Sequence, residues 1–266
     1  MTQTGWLIRD SLSLAVHGGG SDGPALVFQH GLCGDARQVA EAMAGLGSQR
    51  WQSLECRGHG ASDLGDDLSI ATFADDVAAL VERVGEKVVL GGISMGAAIA
   101  SRIAVQRPDL VQALVLVRPA WVTAAAPANM APNAETGSIL AQMSPAEAKA
   151  VFAASITARH LAQVAPDNLA SLLGFFARQP LGQTARLLRT ISADGPGITD
   201  DDFRHLTLPT LICGTLEDAV HPMAHARAFA SLIPGARLVE LPAKGRDKPA
   251  HLAALAVALR QFLQEI

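Results

Sequence analysis

The chain has 266 residues, 49% of them hydrophobic and 17% charged, with a formal net charge of −4. That composition excludes a disordered or collagen-like chain, and the absence of a basic excess argues against nucleic acid as a partner. Three widely spaced cysteines, Cys33, Cys56 and Cys213, suit reduced thiols in a cytoplasmic protein better than a disulfide frame or a zinc site.

Taken in chain order, Trp6–Arg9 and Leu12–Val16 are expected as strands, His17–Pro24 as a loop and Ala25–Gln29 as an apolar strand. The loop glycines are not followed by Gly-Lys-Ser/Thr or by a helix, so they do not announce a phosphate cradle. A helix is expected over Ala36–Ala44, a strand over Trp51–Cys56 and a helix over Ser69–Val84, where Phe73, Val77, Leu80, Val81 and Val84 fall at helical spacing. Lys87–Ile93 and Val111–Val117 are apolar runs with the character of buried strands. Between them Met95–Gln106 is a helix of small residues that stops at Arg107-Pro108. Strands alternating with helices, apolar on both faces, predict an α/β fold with a mostly parallel sheet covered on both sides.

Ala120–Leu206 has no convincing strand. It is rich in alanine and leucine, is punctuated by prolines, and predicts three to five short helices. The sheet pattern returns with Pro209–Cys213, the helix Pro222–Leu232, the strand Ala236–Leu241 and a last helix, His251–Gln264. Residues 1–118 and 206–266 are therefore expected to form one α/β core, with 119–205 as an inserted helical cap. The N-terminus shows no secretory signal, and no apolar run reaches the roughly 18–20 residues of a membrane span. The expectation is a cytoplasmic protein with no membrane partner, a small-molecule substrate, no cofactor and no metal; a homo-oligomer stays open.

Gly92-Ile93-Ser94-Met95-Gly96 lies between an expected strand and an expected helix. A serine that must leave the sheet edge on a very tight turn needs small residues two before and two after it. The helix starting at Met95 also points backbone amides at any oxyanion formed on a substrate carbonyl. With this strand–turn–helix in place, the chain resembles the α/β-hydrolase family over nearly its whole length. The carrying segments are His30-Gly31-Leu32, Arg57-Gly58-His59-Gly60-Ala61-Ser62, Gly92–Gly96, and Gly214 with Asp218.

The resemblance implies a serine hydrolase acting on a small ester, lactone or similar acyl compound, with Ser94 as nucleophile and the Leu32 and Met95 amides as oxyanion donors. It places the triad acid at Asp218, with Glu217 as a competitor. The family usually carries its histidine in the loop after the last strand, where this chain has Arg246. The next histidine, His251, is the favoured base. His221 and His225 follow Asp218 so closely that they are expected not to sit opposite it easily, and His59 is expected to be structural. Because Arg246 stands in the usual histidine place, a ligand-binding protein with a degenerate triad is the alternative; a carbon–carbon hydrolase or perhydrolase using the same residues is another. Arg118, ending a central strand, is a candidate partner for a substrate carboxylate. Trp121, Met130, Met143, Phe152, Phe175 and Phe176 are candidate pocket walls. Cys33 is expected to line the site without acting as nucleophile.

Overall fold

The computed structural model describes residues 2–266. Eight strands form one sheet in the order β1-β2-β4-β3-β5-β6-β7-β8. They are β1 (Thr2–Arg9), β2 (Leu12–Gly19), β3 (Asp22–Gln29), β4 (Gln49–Leu54), β5 (Val88–Ile93), β6 (Val111–Val117), β7 (Thr210–Thr215) and β8 (Arg237–Leu241). The β1–β2 and β2–β4 pairings are antiparallel and every later pairing is parallel. The expected α/β architecture is therefore present.

The central strands are buried along both faces, which is why they read as unbroken apolar runs. In β6, Val111, Leu114 and Leu116 join one core while Ala113, Val115 and Val117 join the other. The first core is closed by α2 (Ile70–Val84), α3 (Met95–Gln106) and α10 (Met223–Leu232); the second by α1 (Ala36–Met43) and α11 (Lys248–Glu265). Each of the larger fully buried side chains, such as Phe28, Phe73 and Leu90, contributes about 1.5–3 kcal/mol by leaving water.

Between β6 and β7 stand six α-helices: α4 (Ala131–Leu140), α5 (Pro145–Ala153), α6 (Ile156–Val164), α7 (Pro166–Phe175), α8 (Leu181–Ser192) and α9 (Asp200–Arg204). They exceed the expected three to five. Three prolines that read as breaks, Pro132, Pro145 and Pro166, sit in the first turns of α4, α5 and α7, where a missing N–H costs nothing. The helices hold a small core of their own around Leu140, Phe152, Leu161, Leu172 and Phe176.

His17–Gly19, expected in a loop, lie instead in β2, because they pair with Trp51–Ser53 of β4. α11 begins at Lys248, three residues before the expected start, capped by the Asp247 carboxylate, which accepts from the Ala250 amide.

Candidate active site

The site grows from the bend between β5 and α3. Ser94 has φ +59° and ψ −112°, a strained conformation for a residue with a Cβ. Its neighbours leave no choice. A Cβ on Gly92 would lie 2.3 Å from the Gly96 backbone, and one on Gly96 would lie 2.4 Å from the Gln29 carbonyl oxygen. The Ser94 amide donates to the Val117 carbonyl at 3.0 Å, tying the bend to β6. The serine hydroxyl is thereby held at the carboxyl end of the sheet, beside a cavity.

The imidazole that reaches Ser94 is His221. Its Nε2 lies 2.9 Å from Ser94 Oγ, and its Nδ1 lies 2.9 Å from Asp218 Oδ1 and 3.0 Å from Oδ2. A carboxylate only accepts, so Nδ1 carries the proton and Nε2 is left to accept the serine O–H. His251, the expected base, is elsewhere. It is buried in the first turn of α11 and donates from Nδ1 to the Pro242 carbonyl at 2.9 Å, with no hydrogen bond to Ser94 or Asp218. The start of α11 three residues early fixes this: the first turn directs His251 at the end of β8 and away from the serine.

The expectation that His221 is too close in sequence to Asp218 fails for a definite reason. The loop after β7 folds into a turn in which Asp218 Oδ1 accepts the His221 backbone amide at 2.9 Å. That turn places residues three apart on one side, so the ring swings back onto its own acid. The spacing Asp-x-x-His ahead of Pro222, which favours extended backbone at His221, was the available sequence signal. Glu217 does not compete: it points outward and pairs with exposed Arg246.

Arg118 is buried at the end of β6 with φ +46° and is not free for a substrate carboxylate. Its Nε and Nη2 donate to Asp218 Oδ2 at 2.8 and 2.6 Å. Burial works to raise the Asp218 pKa, but His221 and Arg118 together outweigh it and hold this carboxyl far below the usual range. His221 is also shifted down: burial favours the neutral ring, Asp218 opposes that, and the Arg118 charge reinforces it. At neutral pH the ring is uncharged and able to take a proton.

The opposite wall is the turn after β3. A Cβ on Gly31 would be 3.3 Å from Ser94 Cβ, so this turn runs directly against the serine. The Leu32 amide and the Met95 amide have no acceptor among the described residues. Two buried histidines hold the turn: His30 Nε2 accepts the Cys56 amide and His59 Nε2 accepts the Cys33 amide, at 3.1 and 3.0 Å. Burial keeps both rings neutral, as accepting nitrogens require. Behind them the bidentate Arg57–Asp76 pair fixes the Arg57–Ser62 turn.

The cavity holds about 190 Å³. Leu32, Met130 and Phe175 line it, as does Cys33, whose thiol burial pushes up to about 12, leaving no thiolate to act as nucleophile. Trp121 does not: it is fully buried in the sheet core and donates from Nε1 to the Asp194 carbonyl, anchoring the chain where it leaves β6. Phe152 and Phe176 belong to the helical core, and Met143 is exposed on the outer surface.

The sequence matches the α/β-hydrolase-fold family over residues 24–247, and the chain belongs to that family. It is 34% identical over 128 residues to the mouse sn-1-specific diacylglycerol lipase ABHD11, a match spanning 47% of this chain and 40% of that protein. It is 27% identical over 237 residues to RutD of Pseudomonas savastanoi pv. phaseolicola, covering 83% of this chain and 86% of that one; the carbamate-hydrolase activity in that protein's name is itself provisional. The fold is shared with an enol-lactonase from Burkholderia xenovorans LB400, at TM-score 0.72, 22% identity, and 97% and 99% coverage of the two chains. It is shared too with a thermophilic esterase from Thermogutta terrifontis, at TM-score 0.74, 21% identity, and 99% and 98% coverage. Among the described residues no helix is long and apolar enough to cross a membrane.

Proposed function

We propose that this α/β-hydrolase cleaves a small ester, lactone or similar acyl substrate in the cavity beside Ser94. The observation that carries the reading is the unbroken relay from Asp218 through His221 to Ser94, with each link at 2.9–3.0 Å. In the acylation step the Ser94 oxygen attacks the substrate carbonyl carbon while its proton passes to His221 Nε2. The carbonyl electron pair moves onto oxygen, where the free Leu32 and Met95 amides stabilise it; a donor of this kind contributes about 3–4 kcal/mol. The imidazolium then gives its proton to the departing alkoxide as the carbon–oxygen bond breaks. Water repeats the sequence on the acyl-serine and restores the hydroxyl.

The cavity is slightly larger than the ~150 Å³ that admits a benzene. That favours an acyl part of a few carbons over the long chains of a diacylglycerol. The helices of residues 119–205 serve as its cap, supplying Met130, Asn133, Asn168, Ser171, Leu172 and Phe175. Three buried free cysteines fit a reducing compartment, and we place the reaction in the cytoplasm. Arg246 in the usual histidine place does not favour a binding-only protein, because His221 fills that role. The test is labelling of Ser94 by a fluorophosphonate and hydrolysis of short p-nitrophenyl esters, both abolished in Ser94→Ala; turnover that survives this substitution contradicts the reading.

A further inference from the structure

The cap side of the cavity carries two buried carboxamides beside Met130, Leu172 and Phe175, with Ser171 exposed at its edge. Asn168, on α7, uses its oxygen to accept the Ala219 and Val220 amides at 2.7 and 3.1 Å, so its role in holding the loop that carries Asp218 is plain; its nitrogen has no partner. Asn133, on α4, has no such role. Its carboxamide oxygen is buried without a hydrogen-bond partner, and its nitrogen donates to nothing in the chain. A carboxamide can present two donors and an acceptor, and burying them unmatched is costly. The cost is recovered when a ligand supplies the missing partner, because the desolvation of the Asn133 oxygen has already occurred on folding.

Charge narrows the ligand further. The two permanent cations on the cavity wall are each matched by a carboxylate: Arg118 by Asp218, and Lys244 Nζ by Asp167 Oδ2 at 3.0 Å. A charged substrate group would enter without a free counter-ion, which a desolvated site penalises.

Resting on the hydrolase reading of the same site, we infer that Asn133 is a specificity residue for an acyl group bearing a neutral function that both donates and accepts a hydrogen bond, of the carboxamide or hydroxyl type. When the Asn133 carboxamide turns to bring Oδ1 from its buried position to the cavity, the substrate N–H or O–H donates to it, and the substrate oxygen accepts from the Asn168 nitrogen. A purely aliphatic acyl group of the same shape leaves both unmatched.

Three esters of equal heavy-atom skeleton separate the possibilities: ethyl N-acetylglycinate, ethyl 4-methylpentanoate and monoethyl succinate. Their affinities are measured by calorimetry on Ser94→Ala protein, which binds without consuming them. The acetylglycinate is expected to bind at least ten-fold more tightly than either other ester, and Asn133→Leu is expected to erase that preference. Asn133→Ala provides the same comparison should the leucine variant not fold. Equal affinities, no detectable binding, a preference that survives both substitutions, or a preference for the succinate ester would each overturn the inference. Turnover by the wild type is read separately. Hydrolysis of all three esters without ranked affinity removes the inference and keeps the hydrolase. Ranked binding without any hydrolysis removes the hydrolase and keeps the inference.

Discussion

The loops after β7 and β8 sit side by side at the carboxyl edge of the sheet and have opposite characters. The first, leading from Thr215 to Pro222, turns inward and carries both a buried carboxylate and the imidazole it orients. The second, Pro242–Asp247, faces outward; its Arg246 side chain is 76% exposed and meets Glu217 at the surface. The resemblance to the family assigned the acid to one loop and the base to the other, yet the structure gathers both on one. What a triad requires is a ring between an acid and a hydroxyl, and a three-residue turn can supply that as well as a second loop can.

Substitutions can break this contrast, beginning where the effect should be largest. Asp218→Asn removes the charge that fixes the His221 tautomer, and kcat on a short p-nitrophenyl ester should fall by about 10⁴-fold with the fold intact by circular dichroism. A fall of less than ten-fold would detach the acid from the chemistry. Gly96→Ala drives a Cβ to 2.4 Å from the Gln29 carbonyl oxygen, so the bend under Ser94 must shift. A displacement of this order costs about 10²-fold in rate, and thermal unfolding should come earlier as well. Wild-type activity in that variant would mean the bend is not tight.

Smaller effects sharpen the contrast. An imidazole accepts a proton only when neutral, and the pKa of His221 lies below the ordinary imidazole value of 6.5, chiefly because the ring is buried. The acid limb of kcat/KM should therefore fall below pH 6.5, with activity rising as pH increases through it. Arg118→Met removes a cation that disfavours protonated His221, so the limb should move to higher pH; an unmoved limb would show that Arg118 serves only to seat the Asp218 loop. At the bottom of the scale, Arg246→Ala removes only an exposed, solvent-screened ion pair and should leave kcat/KM within two-fold of wild type.

Some of this was legible beforehand. α3 and β6 run over the very residues expected, because Ser94 and Pro108 bracket the helix and continuous apolar side chains fill both faces of the strand. Ser94, and the loop that carries Asp218, could be read because strain and chain order demand particular residues there. His221 could not, since sequence separation says little about a side chain that turns back through its own backbone amide. The partner of Arg118 was equally hidden: that pair joins residues 100 apart in the chain, and only the parallel neighbouring of β6 and β7 brings them together. Among the cap helices α4 and α5 lack a clear apolar period, and the cap prolines begin helices as readily as they end them.

The central claim is that the ring on the β7 loop takes the serine proton while the histidine of α11 does not. It is tested most directly by steady-state kcat of His221→Gln and His251→Gln side by side on one short p-nitrophenyl ester. The account predicts a loss of at least 10³-fold for His221→Gln and less than five-fold for correctly folded His251→Gln. The reverse ranking would contradict it.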